Sequence, residues 1–160
     1  MKPVTHHPEN AAKTNRSEFS VFVVDDDESF LFALAFHLKK DTGWKVYCYP
    51  SVEECLCYLH LDPGAIVLDY CFDKVGENSI DGMMALKLIK SVKPEIPVIM
   101  ISAQDNLEVS VELLKEGAFT YIIKDRDVLP AIEKTLLSLR PILVSNRPLE
   151  KRKRIMRRLE

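Results

Sequence analysis

Polar residues that can bind a metal ion and a phosphoryl group follow the apolar segments of this sequence. Three aspartates at 25–27 follow the first segment, and Asp69, Ser102 and Lys124 each follow a later one. Short apolar segments rich in Val and Ile are typical of buried parallel strands. Ligands of an open parallel sheet bind beyond the carboxyl ends of its strands. The pattern therefore predicts one crevice that contains several carboxylates, a hydroxyl and an ammonium group.

Such a crevice is suited to phosphoryl chemistry with a hard cation. Neighbouring carboxylates repel one another, which raises the pKa of some of them unless a divalent cation offsets the charge. Mg²⁺ prefers oxygen ligands and leaves room for a phosphoryl oxygen. An aspartate can act as a nucleophile and form an acyl phosphate. Mg²⁺, Lys124 and Ser102 would then stabilise the negative charge of the transferred group.

The elements that must position these residues alternate between strand and helix from Phe19 onward. The predicted strands lie at 21–24, 45–49, 65–68, 98–101 and 121–123, and the predicted helices at about 29–40, 51–60, 82–92, 107–116 and 127–139. Pro141 is expected to end the last helix. Right-handed crossovers between parallel strands place helices on both faces of the sheet. We therefore expect an α/β fold, a doubly wound (βα)5 domain with a five-stranded parallel sheet.

The chain of 160 residues has room for one domain with tails. We expect a flexible N-terminal extension over 1–18, the domain over 19–140 and a basic linker or tail over 141–160. The tail carries a net charge of +5 and the rest of the chain −7, which argues against direct nucleic-acid binding by the domain body. We interpret the basic run at 151–154 first as a solvated linker helix. A nucleic-acid contact and the start of an output domain are the alternatives.

Cysteine usage and hydropathy indicate the compartment. The four cysteines have no metal-ligand spacing, and reduced thiols in a cytosolic protein are the simplest interpretation. No apolar stretch approaches the length that spans a bilayer, and the N-terminal segment lacks the apolar core of a signal peptide. We therefore expect a cytoplasmic protein with no membrane partner.

Four motifs resemble those of the receiver domain of two-component response regulators. They are Val23-Val24-Asp25-Asp26-Asp27-Glu28, Ile66-Val67-Leu68-Asp69, Ile101-Ser102-Ala103 and Gly117-Ala118-Phe119-Thr120-Tyr121-Ile122-Ile123-Lys124. Each motif alone is weak, but all four occur in order on the expected strands. The resemblance spans residues 19–139 and implies a flavodoxin-like fold with strand order 2-1-3-4-5.

The resemblance also implies a role for each acidic residue of the crevice. Asp69 would accept a phosphoryl group from the phosphohistidine of a sensor histidine kinase or of a phosphotransfer protein. Asp26 would ligate Mg²⁺ directly, and Asp25 directly or through water. Asp69 itself and the backbone carbonyl of Cys71 would complete the protein ligands of the metal.

Three further residues would respond to phosphorylation in a protein of this family. Lys124 would bind the phosphoryl oxygens, and Ser102 would hydrogen-bond them while its loop moves inward. Tyr121 would act as an aromatic switch that changes rotamer when Ser102 moves, although a plain residue at the edge of the sheet is an equal alternative. The surface of helix 4, strand 5 and helix 5 would then mediate homodimerisation or contact with an output domain.

The sequence departs from the family pattern at two places. The loop after Asp69 lacks the usual Met-Pro and is several residues longer than expected, which affects the geometry predicted for the Cys71 carbonyl. Asp125 follows Lys124 where the family usually has proline. A cis bond before a residue other than proline is costly, so we expect a trans bond here.

Two other functions compete with a phosphorylated receiver. A phosphatase similar to the haloacid dehalogenases would use an aspartate after strand 1 as its nucleophile, and Asp25 and Asp27 have the required spacing. The threonine expected just beyond them is absent, however. A pseudo-receiver that serves only as a docking module is the second alternative. The intact acceptor, metal and lysine positions argue against it. As a receiver, this protein is not expected to act as an enzyme on another substrate. It would assist its own phosphoryl transfer and its slow dephosphorylation.

Overall fold

The computed structural model describes residues 19–42, 44–72 and 80–146. The strands are β1 (Ser20–Val24), β2 (Lys45–Tyr49), β3 (Ala65–Asp69), β4 (Val98–Ser102) and β5 (Thr120–Ile123). The helices are α1 (Glu28–Thr42), α2 (Val52–Tyr58), α3 (Gly82–Val92), α4 (Leu107–Lys115) and α5 (Val128–Asn146). A 3₁₀ turn at Leu59–Leu61 follows α2. All ten predicted elements are therefore present, in the predicted order.

The five strands form one parallel sheet in the order β2-β1-β3-β4-β5. This confirms the predicted α/β fold and its strand order. The register pairs Val24 with Leu68, Asp69 with Ile101, and Ser102 with Ile123. Because all strands run in the same direction, the residues that follow them meet at one edge of the sheet.

Apolar side chains on the two faces of the sheet form two separate cores. On one face, Val21 and Val23 of β1 pack in a cluster with residues of α1 and α5. On the other face, Phe22 and Val24 pack with residues of α2, α3 and α4. The alternation along β1 follows from the two-residue period of a strand. β3 and β4 are buried along their whole length, as expected for the centre of a sheet covered on both faces.

Side-chain caps begin several helices close to the predicted positions. The carboxylate of Asp27 accepts hydrogen bonds from the backbone N–H groups of Ser29 and Phe30, at 2.9 and 3.2 Å. Ser51 caps α2 through the N–H of Glu54, and Asp81 caps α3. These bonds satisfy N–H groups that have no partner within the helix.

The end of α5 differs from the prediction. The helix continues to Asn146, so the expectation that Pro141 ends it near Leu139 was wrong. Proline removes the hydrogen bond that would reach the carbonyl of Leu137, and its ring crowds that carbonyl. Leu137 lies on the exposed side of the helix, where water can hydrate the carbonyl, so the loss of this bond costs less than it would in a buried helix. Among the described residues, no helix is both long and apolar enough to cross a membrane.

Candidate functional site

Three carboxylates meet at the carboxyl edge of the sheet, as the sequence predicts. One carboxylate oxygen each from Asp25, Asp26 and Asp69 lies within 4.8 Å of the others. Asp25 and Asp69 are 0% and 3% exposed, whereas Asp26 is exposed to solvent. Two buried acids beside an exposed third give the crevice a concentrated negative charge that is open on one side.

Backbone hydrogen bonds between strands hold the acidic residues in place. The N–H of Asp25 donates to the carbonyl of Tyr49, 3.1 Å away, and its Oδ1 accepts from the N–H of Asp27. The N–H of Tyr70, next to the predicted acceptor, donates to the carbonyl of Ile101 at 2.8 Å. The sheet therefore sets the positions of Asp25 and Asp69.

Lys124 bridges the two buried carboxylates. Its Nζ lies 2.6 Å from Asp25 Oδ2 and 3.2 Å from Asp69 Oδ1. Its own N–H donates to the carbonyl of Ser102 at 2.7 Å, which fixes the start of the side chain at the end of β5. The structure thus brings together the predicted acceptor, the predicted metal ligands of β1 and the predicted phosphoryl-binding lysine.

Burial and mutual repulsion shift the pKa values of these groups. Burial, followed by the charge of Asp25, raises the pKa of Asp69 to about 6, although Lys124 partly opposes this. Burial also raises the pKa of Asp25. For Lys124, burial lowers the pKa, but the two carboxylates outweigh it and the net shift is upward. One ammonium therefore does not compensate three carboxylates, and further positive charge stabilises the ionised site.

The donor set fits Mg²⁺. The three side chains offer carboxylate oxygens, the ligand type that a hard divalent cation prefers. Among the described residues, the ammonium of Lys124 lies at 2.6 Å from Asp25 Oδ2 and 3.2 Å from Asp69 Oδ1, and neither oxygen has a backbone N–H or other hydrogen-bond partner besides it. These oxygens retain lone pairs for a cation. The predicted contribution of the Cys71 carbonyl stays a prediction.

Ser102 and Tyr121 are connected through one residue, Gln104. Ser102 is fully buried, and its Oγ accepts a hydrogen bond from the N–H of Gln104 at 3.1 Å. The hydroxyl of Tyr121 donates to the carbonyl of the same Gln104. Cys71 Sγ lies 3.8 Å from Ser102 Oγ. A movement of Ser102 therefore acts directly on the residue that holds the Tyr121 hydroxyl.

The two places where the sequence departs from the family pattern differ in what the structure describes. There are no cis peptide bonds in the described ranges, which confirms the trans bond expected before Asp125. The carboxylate of Asp125 accepts a hydrogen bond from the N–H of Asp127 at 2.9 Å, so it orders the turn into α5 without proline. Most of the long loop, at 73–79, lies outside the described residues.

Two residues at the site were not predicted from the sequence. Phe30 places its ring 4.7 Å from Lys124 Nζ, but its position in the pattern is that of an ordinary apolar residue of α1. A Cβ on Gly82 would lie only 2.5 Å from Tyr70 Cα and 2.9 Å from the Asp69 carbonyl oxygen. The position of Gly82 after a long polar loop was the only sign of this close approach.

Comparison with known proteins identifies the class to which this arrangement belongs. The model of the response regulator receiver domain family matches residues 21–133. The putative response regulator NtrX-like of Rickettsia conorii is 36% identical over 109 residues, which cover 68% of this chain and 22% of that protein. The transcriptional regulatory protein ZraR of Salmonella typhimurium is 34% identical over 116 residues, which cover 70% of this chain and 24% of that protein.

A solved structure agrees with these matches. The receiver domain of NtrX from Brucella abortus is 29% identical, with a TM-score of 0.62 over 74% of this chain and 98% of that one. The fold and the acidic edge of the sheet thus define a receiver. The chain belongs to the response regulator receiver domain family of two-component signalling systems. It spans less than a quarter of the length of the two relatives from Rickettsia and Salmonella.

The close approach of Gly82 generates a prediction about the acceptor loop. Gly82→Ala forces a methyl group against backbone atoms of Asp69 and Tyr70, so we expect a loss of about 1–3 kcal/mol in the free energy of unfolding and slower phosphorylation of Asp69. Denaturant unfolding and labelling with acetyl phosphate measure the two effects. Gly64→Ala is the control, because its methyl would lie 2.5 Å from the Phe19 ring. Equal slowing by both variants would contradict a specific role for Gly82.

Proposed function

We propose that this protein is a phosphorylation-dependent signalling switch in which Asp69 accepts the phosphoryl group. The observation that supports this most directly is the bridge from Lys124 to Asp25 and Asp69, with Asp26 within 4.8 Å. A nucleophilic carboxylate, a metal-binding pair and a cation for the phosphoryl oxygens are the parts that the reaction needs. Family membership favours this function over a phosphatase with its nucleophile after β1.

In the proposed reaction, a carboxylate oxygen of Asp69 attacks the phosphorus of a phosphohistidine. The new O–P bond forms as the N–P bond breaks, and the histidine nitrogen leaves with the electron pair. With a pKa of about 6, Asp69 is largely ionised at neutral pH and therefore nucleophilic. Bound Mg²⁺ would offset charge on the transferred oxygens. Lys124 passes from Asp69 Oδ1 to the phosphoryl group. Water later attacks the phosphorus, the bond from Asp69 to phosphorus breaks, and inorganic phosphate leaves as Asp69 returns to a free carboxylate.

Membership of this class of protein suggests what donates the phosphoryl group and what receives the signal. Response regulators such as the relatives from Rickettsia and Salmonella suggest a sensor histidine kinase or a phosphotransfer protein as the donor, and a downstream output domain. Direct nucleic-acid binding by the receiver body is not part of this proposal, and the cytoplasm is the expected location. The basic run at 151–154 lies outside the described residues, so its role stays a prediction.

The surface formed by α4, β5 and α5 is the proposed output surface. Ser102 precedes α4, and its Oγ accepts the N–H of Gln104, so a hydroxyl that donates to a phosphoryl oxygen would draw Gln104 and the loop before α4 with it. Four large apolar side chains of α4 and the start of β5 are exposed, namely Leu107, Val111, Leu114 and Phe119. An exposed apolar patch of this kind suits a homodimer formed on phosphorylation or contact with an output domain.

The first test of this function concerns the acceptor. Acetyl phosphate with Mg²⁺ is expected to add one phosphoryl group, and Asp69→Asn is expected to abolish the addition because the amide is not a nucleophile. Intact-mass spectrometry measures the product. Asp62→Asn is the matched control, since Asp62 lies in the turn before β3, and it is expected to label like the unchanged protein. Stoichiometric labelling of the Asp69 variant would contradict the assignment.

The second test concerns the metal. We expect excess EDTA to stop labelling, and Asp26→Asn to weaken Mg²⁺ binding by about tenfold or more, because one carboxylate ligand is lost while the buried acids remain. Isothermal titration with Mg²⁺ measures the affinity without phosphorylation. Asp105→Asn, at an exposed position in the loop after β4, serves as the control. Labelling at full rate in EDTA would refute the dependence on metal.

The third test concerns the switch. Beryllofluoride, a phosphoryl mimic, is expected to change hydrogen exchange around 104–124 and to raise self-association, while 53–59 in α2 stays unchanged. Tyr121→Phe removes the bond to the Gln104 carbonyl, so we expect it to reduce the change in α4. Tyr47→Phe on β2 is the control. A change confined to 53–59 would show that the proposed surface is wrong, and an unaltered response of the Tyr121 variant would make Tyr121 a plain edge residue.

A further inference from the structure

Phe30 contacts the ammonium group of the phosphoryl-transfer site. The Nζ of Lys124 lies over the Phe30 ring, 4.7 Å from its centroid. The same Nζ contacts Asp25 and Asp69, and the Lys124 side chain is 17% exposed. The ammonium is therefore held between two carboxylates and one aromatic face in a place that water barely reaches.

The position of the Phe30 ring is set by its surroundings. The carboxylate of Asp27 accepts the N–H of Phe30 at the start of α1, which fixes the backbone directly beside the acidic residues. The Phe30 side chain is partly buried and packs against the core between the sheet and α1 and α5. The ring therefore has little freedom to leave Lys124.

An aromatic face attracts an ammonium group in a different way from a carboxylate. The attraction comes from the negative face of the ring, and it strengthens when both groups are removed from water. A divalent cation competes with Lys124 for the oxygens of Asp25 and Asp69, but a phenyl ring is not a ligand for a hard cation. The Phe30 ring is therefore a partner of Lys124 for which a divalent cation does not compete.

We infer that Phe30 is a positioning residue for Lys124: its ring keeps the ammonium in the crevice while Lys124 exchanges Asp69 for phosphoryl oxygens. This inference rests on the proposed function of Asp69. A residue that served only the core would tolerate leucine, which has a similar apolar character but no ring. The distinction can be measured.

The test compares Phe30→Leu with Phe30→Tyr, which restores an aromatic face, and uses Phe36→Leu as the control. Phe36 lies on the same helix, is 65% exposed and stacks on Phe32 rather than on Lys124. We expect Phe30→Leu to slow labelling of Asp69 by acetyl phosphate about threefold to tenfold. Phe30→Tyr is expected to restore the rate, and Phe36→Leu to leave it unchanged.

Nuclear magnetic resonance of the metal-free protein provides a readout that does not depend on phosphorylation. The ring current is expected to shift the Hε protons of Lys124 upfield in the unchanged protein and in Phe30→Tyr, but not in Phe30→Leu. Labelling of Phe30→Leu at the unchanged rate, or a loss that Phe30→Tyr does not restore, would overturn the inference. Failure of the unchanged protein to label at all would instead overturn the proposed function, and the inference with it.

Discussion

The burial of two carboxylates beside one ammonium is the interaction on which the rest of the site depends. Asp25 and Asp69 are almost fully removed from water, and an isolated buried carboxylate is costly unless it is paired or neutralised. Lys124 supplies one positive charge at 2.6 and 3.2 Å. A single lysine leaves an excess of negative charge, so the burial that costs stability also gives the site the charge that a cation would offset.

Hydrogen bonds of the parallel sheet fix the positions of these buried charged residues. The N–H groups of Asp25, Tyr70 and Lys124 each donate to a carbonyl of the neighbouring strand, at 2.7 to 3.1 Å. Because Tyr70 directly follows Asp69, these bonds place Asp25, Asp69 and Lys124 relative to one another before any ligand arrives. Little ordering then remains to be done during binding. Gly82 adds a steric constraint from α3, since its backbone lies against the residues that carry the acceptor.

The parts of the site that could be predicted from the sequence are those that depend on strand ends. Asp25, Asp26, Asp69 and Lys124 each follow an apolar segment, and parallel strands must end at one edge. The contact between Phe30 and Lys124 could not be predicted, because it depends on how α1 packs across the sheet. The link through Gln104 uses its backbone N–H and carbonyl, which every residue but proline has, so no residue type indicates it. The continuation of α5 past Pro141 could not be predicted, because it runs against the local preference of proline, which gives up a helical hydrogen bond and crowds the carbonyl of Leu137.

In the proposed switch, the link through Gln104 connects the phosphorylated site to a larger surface. Ser102 and Tyr121 each make one hydrogen bond to this residue, and one such bond contributes about 0.5–1.5 kcal/mol net. In the proposed switch, the acyl phosphate carries up to two negative charges where the Asp69 carboxylate carried one, and it presents three strong acceptors. These acceptors would draw the Ser102 hydroxyl and the Lys124 ammonium toward them, and Gln104 would follow because its N–H donates to Ser102 Oγ. A switch of this kind would need resting contacts as weak as these, since a tightly bonded loop would not respond.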